Sequence, residues 1–130
     1  MKTQVEFRSD KFPPYEGEQQ QINPGLWGKR LAEYLKEKLA AQGIQNHDLI
    51  PEDWGWCLPG KNNAFPMWIG CGHYQEYPNG YLCFVEPSKP TIRKWFKKID
   101  TTHQVGRVTK ALEKILTSDP DITNTRWSNE

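Results

Sequence analysis

The chain contains no Cys-x-x-Cys or His-x3-His pair, no Gly-x-Ser-x-Gly, no phosphate loop and no dinucleotide-binding glycine pattern. Zinc sites of ordinary spacing, the hydrolase elbow and nucleotide cradles therefore have no support in the sequence. Long apolar runs are missing as well. Nothing approaches the roughly 18–20 residues that a membrane span needs, and Met1-Lys2-Thr3-Gln4-Val5 carries no signal-peptide stretch. The three cysteines, Cys57, Cys71 and Cys83, are too few and too odd in number for a disulfide framework. Free thiols in a reducing compartment are expected, and so a cytoplasmic location. One-sided charge is lacking too: 17 Lys and Arg oppose 16 Asp and Glu, a net +1. Long-range attraction to nucleic acid or to an anionic membrane is not a property of the whole molecule.

What the chain does have is aromatic bulk: six tryptophans, five tyrosines and five phenylalanines in 130 residues. The mean hydropathy of −0.82 is low, but rings dominate core burial and disordered chains are poor in them. The length suits a single domain with a core large enough to need neither disulfide nor metal.

Periodicity sets out the elements. Gln4–Arg8 alternates as a short strand, and the Gln- and Pro-bearing stretch 9–21 is expected to be a mobile connection. Asn23 and Pro24 suit the start of a first helix whose stripe is Trp27, Leu31, Leu35 and Leu39, ended by Gly43. Three strands follow: Trp54–Leu58, then Phe65–Cys71 after a turn at Gly60-Lys61-Asn62-Asn63, then Tyr81–Val85 after the hairpin signal Asn79-Gly80. Ile92, Trp95, Phe96 and Ile99 fall at helical spacing, which predicts a short helix. Thr101 and Gln104 match the ends of a capping box, and Val105, Val108, Leu112, Ile115 and Leu116 form the stripe of a last helix stopped at Asp119-Pro120. The tail 122–127 is expected to add an edge strand or to lay Trp127 on the core. With no repeat and no linker, the expectation is one α+β domain over residues 1–130. It is a two-layer sandwich of order β-α-β-β-β-α, mostly antiparallel, with both main helices on one face.

Four places carry chemistry worth weighing. Lys89, Arg93, Lys94, Lys97 and Lys98 crowd a segment without acids, leaving −4 on the rest of a +1 chain. With Trp95 and Phe96 this suggests phosphate contacts and base stacking, but helical spacing puts both rings on the buried face and makes the cations a solvated one. Glu52 and Asp53 stand at the mouth of a strand, yet neighbours on a strand point apart and are not expected to converge. Cys71 and His73 share a strand face near Cys57 and Cys83, without the spacing of a metal site; a two-residue hairpin at Asn79-Gly80 would instead set His73 opposite Glu86. Gly70 and Gly72 leave room on a sheet face that Trp54, Trp56 and Trp68 are placed to line as a hollow.

The run Glu52-Asp53-Trp54-Gly55-Trp56, the helix start Gly28-Lys29-Arg30-Leu31-Ala32 and the late Ile122…Trp127 together resemble small uncharacterised bacterial proteins in which a Trp-Gly-Trp strand follows the first helix. The resemblance spans most of the chain and implies a bacterial single-domain protein; it brings no activity and no functional residues.

The expectation is therefore a non-enzymatic bacterial interaction or accessory protein, with no catalytic residues, metal or cofactor assigned and no membrane. Its binding residues would be Trp54, Trp56, Trp68, His73, Arg93, Lys94, Lys97 and Lys98, and its partner a protein. The alternatives are a small-molecule or enzymatic domain using the tryptophan hollow, and a weak nucleic-acid binder using segment 89–98, nucleic acid being the disfavoured partner.

Overall fold

The structure, a computed structural model, describes every residue except Asn63, Gln75 and Glu130, so the Asn63 end of the expected turn lies outside the described residues. The elements run β1 (Gln4–Arg8), α1 (Glu18–Gln21), α2 (Lys29–Ala41), β2 (Ile50–Glu52), β3 (Gly55–Pro59), β4 (Trp68–His73), β5 (Gly80–Glu86), β6 (Thr91–Lys94), β7 (Lys97–Asp100), α3 (Thr102–Ser118) and β8 (Thr123–Ser128). Six strands form one antiparallel sheet in the order β2-β3-β4-β5-β1-β8, while β6 and β7 pair only with each other. The expected α+β sandwich is thus the fold.

The inner face follows from the register. Trp56, Cys71, Cys83, Val5 and Trp127 lie in one row across the sheet, and Leu58, Ile69 and Val85 lie in the next. Against these rows pack Leu31, Leu35 and Leu39 of α2, over β3 and β4, and the stripe Val105, Val108, Leu112, Ile115 and Leu116 of α3, over β5. Gly28 permits the close approach, since a Cβ there would lie 2.5 Å from the Cys71 carbonyl oxygen.

Several expectations shift. α2 begins at Lys29 rather than beside Asn23, because its first amides take a partner from far back in the chain: Glu18 Oε2 accepts Gly28 N at 2.8 Å and Lys29 N at 2.9 Å. Trp27 therefore precedes the helix and stacks on His73, centroids 3.7 Å apart. The 9–21 stretch is anchored rather than loose. Phe12 is buried and its carbonyl accepts Tyr81 OH at 2.5 Å, and Glu18 is buried at 3 % exposure. Residues 74–79, not a two-residue turn, join β4 to β5, so His73 faces Tyr81, and Glu86 faces Trp68. Thr101 precedes α3 without a side-chain cap; its hydroxyl donates instead to the Lys89 carbonyl. The tail meets both expectations, as edge strand β8 with Trp127 packed against the core.

Candidate interaction surface

The largest departure lies at 91–100. Instead of a helix, the segment forms the β6–β7 hairpin, with Ile92 opposite Ile99, Arg93 opposite Lys98 and Lys94 opposite Lys97. The apolar spacing that suggests a helix is also symmetric about residues 95 and 96, so a hairpin lays Ile92 and Ile99 side by side on the core just as well. A helix of eight residues is marginal in water, whereas Thr91, Ile92 and Ile99 are β-branched and suit strands. The base is clamped: Thr101 N donates to the Pro90 carbonyl at 2.9 Å, and the Thr101 hydroxyl bonds Lys89.

Trp95 and Phe96 consequently form the tip, not part of the core, and are 88 % and 97 % exposed. Trp95 adopts φ 60°, uncommon for a bulky side chain. Two like-charge pairs face each other directly behind the tip, an arrangement that destabilises a ladder. Bare rings, a left-handed tryptophan and facing cation pairs all occur within six residues. Costs concentrated in this way mark places shaped by something other than folding.

The tryptophan hollow is resolved differently. Trp54, Trp68 and Phe84 gather on the helix-free face, with centroids 5.1–5.8 Å apart. The room left by Gly70 is filled, because a Cβ there would meet the Phe84 ring at 2.3–2.7 Å. Trp56 is not among them. It is buried on the inner face, where its Nε1 donates to Glu18 Oε2 at 2.9 Å. The hollow is thus a half-exposed patch of packed rings.

His73 is also taken up by packing. Its Nδ1 lies 2.7 Å from the Gly25 carbonyl oxygen, and its Nε2 lies 3.0 and 3.1 Å from those of Tyr77 and Pro78. Cys71 and Cys83 face each other in the core, whereas Cys57 aligns with Gly70 and Phe84 on the opposite face. A hydrogen bond with Cys83, and then burial, push the Cys71 thiol up; burial, the Glu52 carboxylate and Cys71 push Cys57 up to about 11. Neither is a thiolate nucleophile at neutral pH. Among the described residues no three His, Cys, Asp or Glu side chains cluster as metal ligands. Glu52 and Asp53 are both exposed, and it is the main-chain oxygen of Asp53 that accepts Asn23 Nδ2, at 2.7 Å.

No family model, curated protein or solved structure matches the chain. The hairpin therefore stands on its geometry alone. Of the eight binding residues expected from sequence, it unites Arg93, Lys94, Lys97 and Lys98; Trp54 and Trp68 share another face, and Trp56 and His73 are buried. The tip rings were missed because helical spacing assigned them to the core, although their mirror symmetry about 95 and 96 was legible. Among the described residues no helix is long and apolar enough to cross a membrane.

Proposed function

We propose that this is a non-enzymatic interaction protein of the bacterial cytoplasm that docks its β6–β7 hairpin into a protein partner. The recess it fits is apolar and rimmed by carboxylates. The observation carrying this is the tip: Trp95 and Phe96, 88 % and 97 % exposed, collared by Arg93, Lys94, Lys97 and Lys98. Tryptophan and arginine are enriched in interface hot spots, and a carboxylate rim would relieve the two cation pairs that the hairpin holds together. A protein pocket suits the charge distribution better than nucleic acid does. Polyanion binding draws on a basic track many phosphates long, whereas here the one acid-free basic segment is 89–98 and the chain outside it carries a net −4. Three free buried thiols favour a reducing compartment.

The test is a pull-down from the source cells with wild type, Trp95→Ala/Phe96→Ala and Lys94→Glu/Lys97→Glu. A protein held by wild type and lost from both variants is expected. Capture that is equal on all three, or that nuclease abolishes, overturns the proposal.

A further inference from the structure

The helix-free face of the sheet has an apolar centre. Register sets Ile50, Cys57, Gly70 and Phe84 in one row across β2 to β5. The Phe84 ring leans over Gly70 and meets the half-exposed Trp54 and Trp68, and Ile50 at the edge is 46 % exposed. Carboxylates border these side chains. Glu52 lies two residues beyond Ile50 on one strand, and so on the same face. Asp53 adjoins Trp54, and both acids are exposed. Glu86 stands opposite Trp68, its Oε2 accepting Ser88 N at 3.1 Å. Farther across the face, Arg126 is paired with Glu6 at 2.7 Å. The face therefore carries rings within an acidic border, and the β6–β7 tip carries rings within a basic collar.

We infer, resting on the docking role proposed for the hairpin, that its partner is a second copy of this chain. The tip rings of each copy lie on Trp54, Trp68 and Phe84 of the other, and the basic collar meets Glu52, Asp53 and Glu86. The tip does not close on its own face: its rings are 88 % and 97 % exposed, and Thr101 clamps the hairpin base. Area argues for an exchange in both directions. At about 150–250 Å² each, two rings and the face beneath them fall short of the roughly 1,200 Å² of a stable interface. The same contact made twice reaches it. The hairpin leaves the sheet directly after Glu86, which faces Trp68, so its base adjoins the patch. Two copies set face to face can thus trade hairpins about one two-fold axis.

Sedimentation equilibrium over a wide range of concentration tests this. The mass of wild type should rise from 15.2 kDa towards twice that value. Lys94→Glu/Lys97→Glu on the hairpin, and Glu52→Lys/Asp53→Lys on the face, should each weaken pairing by about tenfold or more, since like charges then meet. An equimolar mixture of the two variants should pair again, because the acidic hairpin of one meets the basic face of the other and the reverse contact keeps its native charges. Misfolding of either variant cannot imitate that recovery. A wild type that stays at 15.2 kDa throughout, or a mixture that pairs no better than its components, overturns the inference. If wild type stays single while the pull-down still captures a different protein through the tip, the second copy is refuted and the docking role stands. If both fail, the docking role falls with it.

Discussion

Asp119 ties three distant parts of the chain. Its Oδ2 accepts Lys11 Nζ at 2.6 Å and Tyr34 OH at 2.7 Å, joining the segment after β1 and helix α2 to the end of α3. The Lys11 bond first, then that of Tyr34, holds the carboxyl at about 2, below its ordinary 3.8. A carboxyl depressed in the folded state stabilises above its unfolded value and loses that contribution as pH falls through the folded one. Asp119→Asn should therefore be less stable than wild type at neutral pH, and the gap should close between about pH 4 and pH 2. Urea denaturation across that range checks this; a gap independent of pH would refute it. Glu18 acts at the same scale. One buried carboxylate accepts Tyr15 N, Gly28 N, Lys29 N and Trp56 Nε1, all within 2.8–2.9 Å. Glu18→Ala orphans these donors and should cost about 3 kcal/mol, since bonds to charged groups are worth about 1.5–3 kcal/mol each and relaxation recovers part. The change in unfolding free energy measures it.

At the scale of elements, the proposed role of the hairpin sets stability against binding. Lys97→Glu replaces the Lys94–Lys97 repulsion with an opposite-charge pair across the ladder. The substitution should raise stability by about 0.2–1 kcal/mol while weakening partner capture, a pairing of signs that a merely structural hairpin would not give. Thermal melts and quantified pull-downs read the two effects separately. On the sheet, Gly70 leaves room for the Phe84 ring, which meets Trp54 at a tilt and Trp68 edge-on. Gly70→Ala forces that ring aside and should destabilise by about 1–3 kcal/mol, with a change in near-ultraviolet circular dichroism as the rings part.

Over the whole molecule, charge is separated rather than absent, with +5 in 89–98 against −4 elsewhere. The +5 segment, rather than the net charge, is what a carboxylate rim meets on approach. Association with a partner of the proposed kind should therefore be steered, with a rate constant above the unsteered value of about 10⁵–10⁶ M⁻¹s⁻¹ that falls as salt is added. Surface-plasmon kinetics at two salt concentrations checks this; a rate constant for association that does not change with salt would contradict it.

The sheet, the two long helices and their shared face were legible from sequence. Leu31, Leu35 and Leu39, and Val105 through Leu116, repeat with a helix's own period, β1, β3 and β4 alternate with a strand's period of two, and β5 is an almost unbroken apolar run. Local periodicity states which residues of an element turn inward. It does not state what meets them. Ile92, Trp95, Phe96 and Ile99 satisfy a helix and a hairpin equally, and only the site offered to the two isoleucines on the core, with the Thr101 clamp at the base, selects the hairpin and bares the rings. Glu18 sits in a polar run that reads as loop, and only Gly28, Lys29 and Trp56, brought from elsewhere, make it a buried capping group. Ile50, Trp68 and Phe84 come from three strands, and the patch they share exists only where β2 to β5 lie side by side in one sheet. Burial of a single residue depends on partners far along the chain, and the tertiary structure alone supplies them.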